Sequence, residues 1–286
     1  MGAWLQRLEA RFNKPEEDFA RRRLMGFAAL AIYLAPVLVI GLLLQTLSDT
    51  ATIAPILVIL IAASLPAQRS LHVHVKAVAD ALAGGDPLVE GRRAVAMIVG
   101  RDVAALDQAA IARAAIESLA ENFSDGVVAP LLWTAIFGLT GGLLHKAINT
   151  ADSMIGHRNA RYDAFGFAAA KLDDLINAPP SRVSVLLLAA ASGGRWRAAF
   201  DTALRDAPHH RSPNAGWPEA AMAGALGLKL AGARVYGGVS VDDAFMGDGR
   251  AEANADDVVR ALALYRRACW ANGAGLAVWA LAAIVA

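Results

Sequence analysis

The run from Leu24 to Leu47 carries no charged side chain. At about 1.5 Å of rise per residue, a helix over it easily crosses a hydrocarbon layer of about 30 Å. An uncharged helix of that length has no polar face to offer water, so lipid or protein must surround it. Ser48-Asp49-Thr50 follows as a short polar turn, and Thr52 to Ala67 is a second apolar run. The two runs read as a transmembrane hairpin spanning residues 24–47 and 52–67. Arg21, Arg22 and Arg23 precede the first run and Arg69 and Lys76 follow the second, whereas the turn has neither Lys nor Arg. The positive-inside rule then places both ends of the hairpin in the cytoplasm.

Composition agrees, with 56% hydrophobic and 19% charged residues against about 45–50% and about 25% in soluble domains. The implied fold is an all-α, polytopic integral membrane protein whose cytoplasmic helices and loops carry the polar residues. A net charge of +1 gives no basic surface for nucleic acid. Cys269 is the lone cysteine, which excludes an intrachain disulfide and a Cys-based zinc site and suits a small packing residue. The N-terminal stretch does not read as a cleavable signal, because the apolar run behind it exceeds a signal core of about 7–15 residues. Trp4, Leu5, Leu8 and Phe12 fall at helical spacing, so this segment either lies in the membrane interface or packs on the protein.

Residues 68–125 read as soluble helices, broken at Gly84-Gly85-Asp86-Pro87, with Asp102 or Asp107 capping a helix through Ile111, Ala115 and Leu119. Candidates for further spans are 126–144, 183–194 and 269–286. Pro130, Gly138, Gly141 and Gly142 interrupt the first of these, and the second is too short to span alone. If both crossed, Lys146, Arg158, Arg161, Lys171 and Arg182 would lie outside, against the positive-inside tendency. Buried or re-entrant helices that begin and end on the cytoplasmic side fit better. No internal repeat or low-complexity segment is visible, so residues 1–286 read as a single membrane-embedded domain.

Polar residues gather in clusters. In the first, Glu117, Glu121 and Asp125 recur every fourth residue around Asn122, so one helix stacks all three acids on a face. Like charges at that spacing repel, and magnesium, which takes carboxylate, phosphate and water oxygens, is the natural counter-ion. A solvated acidic face is the bland alternative. Ionisable groups beside a membrane-type segment favour the functional one. The second cluster holds Lys146, Asn149, Asp152, His157 and Arg158: an acid for metal, cations for phosphate oxygens, and a glycine at Gly156 that ends the helix. The third is Lys171, Asp173, Asp174 and Asn177, followed by Pro179-Pro180 and Arg182. In the fourth, His209, His210, Arg211, Ser212, Asn214, Trp217 and Glu219 surround Pro218, which fits the N1 position of a helix through Ala220, Met222, Ala225 and Leu228. Free amides there, with His210 and Arg211, would make an anion site. No P-loop and no strand followed by GxGxxG is present, so any use of ATP must rely on carboxylates, magnesium and the scattered cations.

The stretches VGRDVAALDQAAIARAAIESLAENFSDGVVAPLLW, HKAINTADSMIGHRNARYDAFG, KLDDLINAPPSR and RDAPHHRSPNAGWPEAAMAGALG, in this order, resemble the adenosylcobinamide-phosphate synthase (CbiB/CobD) family of cobalamin biosynthesis. The resemblance covers about Arg69 to Tyr236. It implies an inner-membrane enzyme that joins the free carboxylate of adenosylcobyric acid to (R)-1-amino-2-propanol O-2-phosphate at the expense of ATP, with its active site facing the cytoplasm. Such an acid–amine ligase would use ATP and Mg2+. Glu117, Glu121, Asn122, Asp125, Asn149, Asp152, His157, Asp173, Asp174, Ser212, Asn214 and Glu219 occupy the family's motif positions. Family members usually open with another apolar segment and a His-Pro-Val motif, and this chain starts just after where those would lie. Pro179-Pro180 stands where relatives more often carry a single proline, which would shift Arg182 slightly.

A carboxylate is a poor acceptor for an amine, so the expected route is an acyl phosphate attacked by the amine. Phosphoryl transfer of this kind is mostly positioning and charge neutralisation. The expected roles are Glu121, Asp125, Asp152 and Asp173 for the metal, and Lys146, Arg158, Lys171 and Arg182 for the nucleotide. Arg211, with the helix start at Pro218, would take the amine's phosphate, alongside Asn122, Asn149, His210, Ser212, Asn214, Trp217 and Glu219 for the substrates. His157 or a carboxylate would accept the amine's proton. The partners implied are the corrinoid, the amine and membrane lipid, with self-association or docking of other cobamide-assembly enzymes left open. The rival readings are a transporter, whose intramembrane acids would mark an ion path, and an intramembrane transferase acting on diphosphates. The topology is testable with cysteines introduced at Asp49 and Asn159 in a Cys269→Ala background. An impermeant thiol reagent applied to intact cells should label the first and spare the second; labelling at Asn159 would overturn the re-entrant arrangement.

Overall fold

Charge-free apolar runs, capping residues and helix-breaking glycines divide the chain much as the sequence leads one to expect. A computed structural model describes residues 2–50, 54–100, 102–157, 159–232, 234–236, 239–241 and 244–285. Its helices are α1 Gly2–Phe12, α2 Phe19–Thr50, α3 Ala54–Ser64, α4 Gln68–Leu82, α5 Pro87–Val95, α6 Gln108–Phe123, α7 Ala129–Ile155, α8 Phe167–Ala191, α9 Trp196–Asp206, α10 Gly216–Leu226 and α11 Ala255–Val285. Between α6 and α7 lies a π-turn, Ser124–Val128. The strands are minimal: β1 Leu230–Ala231 pairs antiparallel with β4 Phe245–Met246, and β2 Arg234–Tyr236 with β3 Val239–Val241. The fold is all-α. Among the described residues, three stretches are long and apolar enough to cross a membrane: Phe19–Ser48, Ala54–Leu82 and Gln108–Ile155. Within the second, α3 supplies the apolar part, while α4 carries Arg69, Lys76 and Asp80.

The chain divides into two compact units, Met1–Pro66 with Ala129–Ala178, and Ala67–Val128 with Pro179–Ala286. In the first unit α1 packs on the protein: Leu5 and Leu8 are buried among Leu30, Tyr33, Ala151 and Phe165. Glu9, itself buried, accepts two hydrogen bonds from Arg161, at 3.0 and 2.9 Å, and a third from Asn13 at 3.1 Å. Helix α2 continues through Thr50, so Ser48-Asp49-Thr50 is helical rather than a turn. Those three polar residues add a last turn to a helix whose i→i−4 bonds are already in place, and helix propagation is easy once nucleated. Residues 51–53 lie outside the described residues.

Helix α7 reverses direction within itself. Phe137 and Gly138 leave helical geometry, and Gly138 has φ +66°, a conformation only glycine adopts freely. A Cβ at Gly141 would overlap the Trp133 carbonyl oxygen, and one at Gly142 would overlap Thr134 Oγ1. The two arms therefore lie side by side. Residues 126–144 form a helical hairpin, as a re-entrant segment requires, and the length of the third apolar stretch is not a single traverse. Gln45 of α2 meets the reversal, accepting from Thr140 Oγ1 at 3.1 Å.

Helix α8 runs through Pro179 and Pro180 without ending. Pro180 has no N–H for the Ile176 carbonyl one turn back. Trp133 Nε1 supplies that missing bond at 3.0 Å.

The second unit is built on α6, buried along Ile111, Ala115, Ile116, Leu119 and Phe123. As expected, Asp107 caps it by accepting from the Ala110 amide at 2.7 Å, and Asp86 caps α5 ahead of Pro87 at N1. Phe123 meets Tyr265 edge-on at 5.7 Å, and Cys269 is buried and free. Helix α10 starts at Gly216, so Pro218 occupies its third position rather than N1, and the left-handed Gly227 ends it before Leu228. Proline is tolerated there because first-turn amides have no partner within the helix.

A reciprocal box opens α11. The Asn254 amide donates to Asp257 Oδ2 at 3.0 Å, and the Asp257 amide donates to Asn254 Oδ1 at 3.1 Å. Buried Asp257 also takes Arg250 at 2.7 Å and Arg260 at 2.9 Å. Asp257→Ala should destabilise the protein by about 2 kcal/mol, since the cap is lost while both half-exposed arginines return to water. Thermal unfolding in detergent measures this, and Asp257→Asn should retain part of it. An unchanged midpoint in Asp257→Ala would show the box to be dispensable.

Candidate functional site

In the first unit α7 and α8 bring the second and third polar clusters together. Asp173 Oδ2 accepts from Asn177 Nδ2 at 2.9 Å, and its Oδ1 lies 3.5 Å from Asn149 Nδ2. His145 Nε2 lies 2.9 Å from Asn177 Oδ1. Because the Asn177 amide nitrogen already donates to Asp173, its oxygen must accept, so His145 carries its hydrogen on Nε2. The result is a buried chain, His145 to Asn177 to Asp173, that fixes the carboxylate's orientation. Asp152 lies within electrostatic reach of Asp173, Asp174 and exposed His157. Asp174 pairs with Lys171 at 3.0 Å. Lys146 sits one turn before Asn149 and Thr150, and Thr150 Oγ1 donates to its carbonyl at 2.7 Å. Arg158 lies outside the described residues.

Asp173 is held at the edge of ionisation. Burial, and next the charge of Asp152, push its carboxyl up to about 7, while the bonds from Asn177 and Asn149 pull it down. The donor set suits a magnesium ion. No three acidic, imidazole or thiol groups gather at ligating distance among the described residues, but magnesium takes one or two carboxylates together with water and phosphate oxygens. Asp152 and Asp173 supply two carboxylates whose mutual repulsion a cation would relieve.

The second unit holds the first and fourth clusters. Glu117 is buried and accepts the Ala231 amide at 2.8 Å, which holds β1 where Ala231 has φ 60°. Glu121 is exposed on α6. Asp125 falls in the π-turn, so the three acids do not form one straight helical stack. A π-turn adds a residue and rotates the downstream helix about its axis.

Around the start of α10, Arg182 donates to Asn214 Oδ1 at 3.0 Å and to Ser181 Oγ at 2.9 Å, and lies over the Trp217 ring at 4.5 Å. Ser212 Oγ accepts the Asn214 and Ala215 amides at 3.3 and 3.1 Å. His210 Nε2 lies 3.9 Å from buried Glu219. Arg182 thus joins the fourth cluster, and an acid occupies the first turn of α10 alongside exposed Arg211.

Comparison with known sequences matches residues 1–265 to the family described as CobD/Cbib protein. The chain belongs to this family. It is 52% identical over 268 residues to a "Cobalamin biosynthesis protein CobD" of Sinorhizobium fredii, covering 91% of this chain and 81% of that protein. Proteins of the same description from Rhizobium meliloti and Rhodobacter capsulatus are 47% and 48% identical, covering 94% and 93% of this chain and 84% of each of them. No solved structure matches.

In this CobD/Cbib chain sequence reasoning missed His145, beside Lys146, and placed Asn177 in the third cluster without its link to His145. Both sit four residues from a polar partner, His145 from Asn149 and Asn177 from Asp173, a spacing that marks one helix face.

The pH dependence follows from Asp173. Its ordinary value of 3.8 rises to about 7 on folding, so the folded state is favoured while the group is neutral and loses that advantage as pH rises from about 4 through 7. Asp173→Asn should match the wild type near pH 4 and exceed its thermal midpoint at pH 8. Equal midpoints at both pH values would show that Asp173 is not held against ionisation.

Proposed function

We propose that this protein acts in cobalamin biosynthesis as a membrane-bound acid–amine ligase. It would join the free carboxylate of adenosylcobyric acid to (R)-1-amino-2-propanol O-2-phosphate, consuming ATP, with its site on the cytoplasmic face of the inner membrane. The carrying observation is family membership across residues 1–265, together with acids that suit phosphate chemistry without a P-loop. Asp173, clamped by Asn177 and Asn149 beside Asp152, has the chemistry of a metal–phosphate site.

In this reading Asp152 and Asp173 of the first unit would hold magnesium, and Glu121 and Asp125 are acids of the second unit. The ion would neutralise phosphate charge when bound. Lys146 and Lys171 attract the nucleotide's phosphates, and Asn149 and Asn177 keep the Asp173 oxygens aimed. At the foot of α10, Arg182, held over Trp217 and bonded to Asn214, binds an anionic substrate group together with His210 and Arg211. An amine attacks a carboxylate only after activation, so the reaction divides into phosphorylation of the acid and aminolysis of the acyl phosphate. The reversal at Gly138 would equally suit a transporter, whose broken helices line a cavity.

Purified protein in nanodiscs, given ATP, magnesium, the corrinoid and the amine, should form the amide only when all four are present. Mass spectrometry reads the product, and nucleotide turnover should track it. Asp152→Asn and Asp125→Asn should lower turnover at least a hundredfold while the protein stays folded and membrane-inserted. ATP with magnesium should raise the thermal midpoint of the wild type but not of Asp152→Asn. Binding of both substrates without amide would sink the ligase reading in favour of transport.

A further inference from the structure

In the first unit a polar cavity of about 600 Å³ lies between the end of α1, the linker after it, the start of α2 and residues 160–161. Its charged lining residues are Glu9, Lys14, Glu16, Arg22 and Arg161. The charge-free run Leu24–Leu47 begins two residues after Arg22, so the cavity sits where α2 passes from polar to apolar surroundings. Large apolar side chains are exposed around this level: Phe19, Leu24 and Phe27 on α2, and Trp4 on α1. In a membrane protein this border is the depth of the lipid headgroups, with the acyl chains beyond it.

The two arginines are held in place by the protein. Arg22 Nε donates to Asn13 Oδ1 at 3.1 Å, and its Nη2 donates to the carbonyls of Arg161 at 2.5 Å and Ala160 at 3.3 Å. Arg161 forks onto buried Glu9 through Nε and Nη2. Lys14 Nζ gives one N–H to the Ala10 carbonyl at 3.1 Å, and an ammonium has two more. Nη1 of each arginine makes no hydrogen bond among the described residues. Glu9 and Arg161 cancel, and Lys14 and Arg22 exceed exposed Glu16 by one positive charge. Of the acids next in the chain, Glu17 pairs with Arg21 at 3.0 Å and Asp18 accepts the Arg21 amide at 2.8 Å; neither lines the cavity.

We propose that this cavity binds the headgroup of an anionic membrane phospholipid, with Lys14, Arg22 and Arg161 on its phosphodiester and its chains along the exposed apolar residues of α2. The inference rests on the membrane fold and not on the ligase reading. A phosphodiester carries one negative charge, which the net charge of the cavity matches. Guanidinium N–H groups and an ammonium are the usual donors to phosphate oxygens. Inorganic phosphate or a nucleotide brings more charge and no apolar part, so it would leave Phe19, Leu24 and Phe27 uncovered. Arg161 is tied to α1 through Glu9, and Arg22 belongs to α2. A headgroup bound to both therefore fastens α1 and residues 160–161 to the start of the membrane helix.

The test uses the full chain in uncharged detergent, with phosphatidylglycerol, phosphatidylcholine and inorganic phosphate added in separate arms. Phosphatidylglycerol should raise the thermal midpoint and stay bound in native mass spectra, and the other two should do neither. Lys14→Gln should weaken phosphatidylglycerol binding about fivefold and Glu16→Gln should tighten it about fivefold, the contribution of one charge beside a lipid surface. Both side chains are exposed in the linker between α1 and α2, so neither substitution disturbs the packed helices. Lys76→Gln, on α4 of the other unit, should leave the affinity unchanged. Equal binding of phosphatidylcholine, or the same shift from Lys76→Gln, would mean attraction without a site. Displacement of the lipid by inorganic phosphate would make the ligand a free anion. Either result overturns the proposal, as does phosphatidylglycerol that fails to bind or that binds regardless of Lys14 and Glu16.

Discussion

A backbone carbonyl buried away from water must find a hydrogen-bond donor within the protein. Pro180 breaks that rule for the Ile176 carbonyl, and the indole of Trp133 restores it at 3.0 Å. This one bond ties the first arm of the α7 hairpin to α8. The second arm, returning past Gly138, sets Asn149 against Asp173 and His145 against Asn177. The acids of α8 are thus aimed from a point where Pro179 and Pro180 deprive the helix of two of its own bonds.

Polar groups in the first unit are arranged by a second necessity. Asp152 and Asp173 are neighbours, and burying two like charges is costly unless one is neutral or a cation joins them. The surrounding amides donate hydrogen bonds but bring no charge. A site poised in this way responds to whatever cation enters. In the second unit Glu117 secures β1, and Asp257 is matched by Arg250 and Arg260. Carboxylates of the same type suit ion binding in one place and architecture in another, and their partners separate the two.

Much of the site was legible because its chemistry is local. Asn149 and Asp152 share a turn, as do Asp173 and Asn177, and helical spacing alone puts each pair on one face. The Glu117, Glu121 and Asp125 series was less legible. Spacing assumes an unbroken α-helix, and the π-turn at Ser124–Val128 inserts a residue ahead of the third acid's neighbours. His145 was illegible. It acquires meaning from a hydrogen bond that fixes its tautomer, and the partner, Asn177, lies on another helix.

By itself the sequence determined that α2 is an apolar helix, that Asp102 or Asp107 caps the helix through Ile111, and that residues 126–144 do not run straight through. Charge-free length, capping side chains and glycine content are properties of contiguous residues, so no distant contact is needed to read them. Only the tertiary structure decided that α1 packs on the protein through Leu5 and Leu8, that Arg182 joins Asn214 and Trp217, and that Trp133 repairs the carbonyl exposed by Pro180. Each of these depends on which residues meet across long separations in the chain. That choice is made by burial and by the need to satisfy polar groups over a whole unit, which no local pattern records.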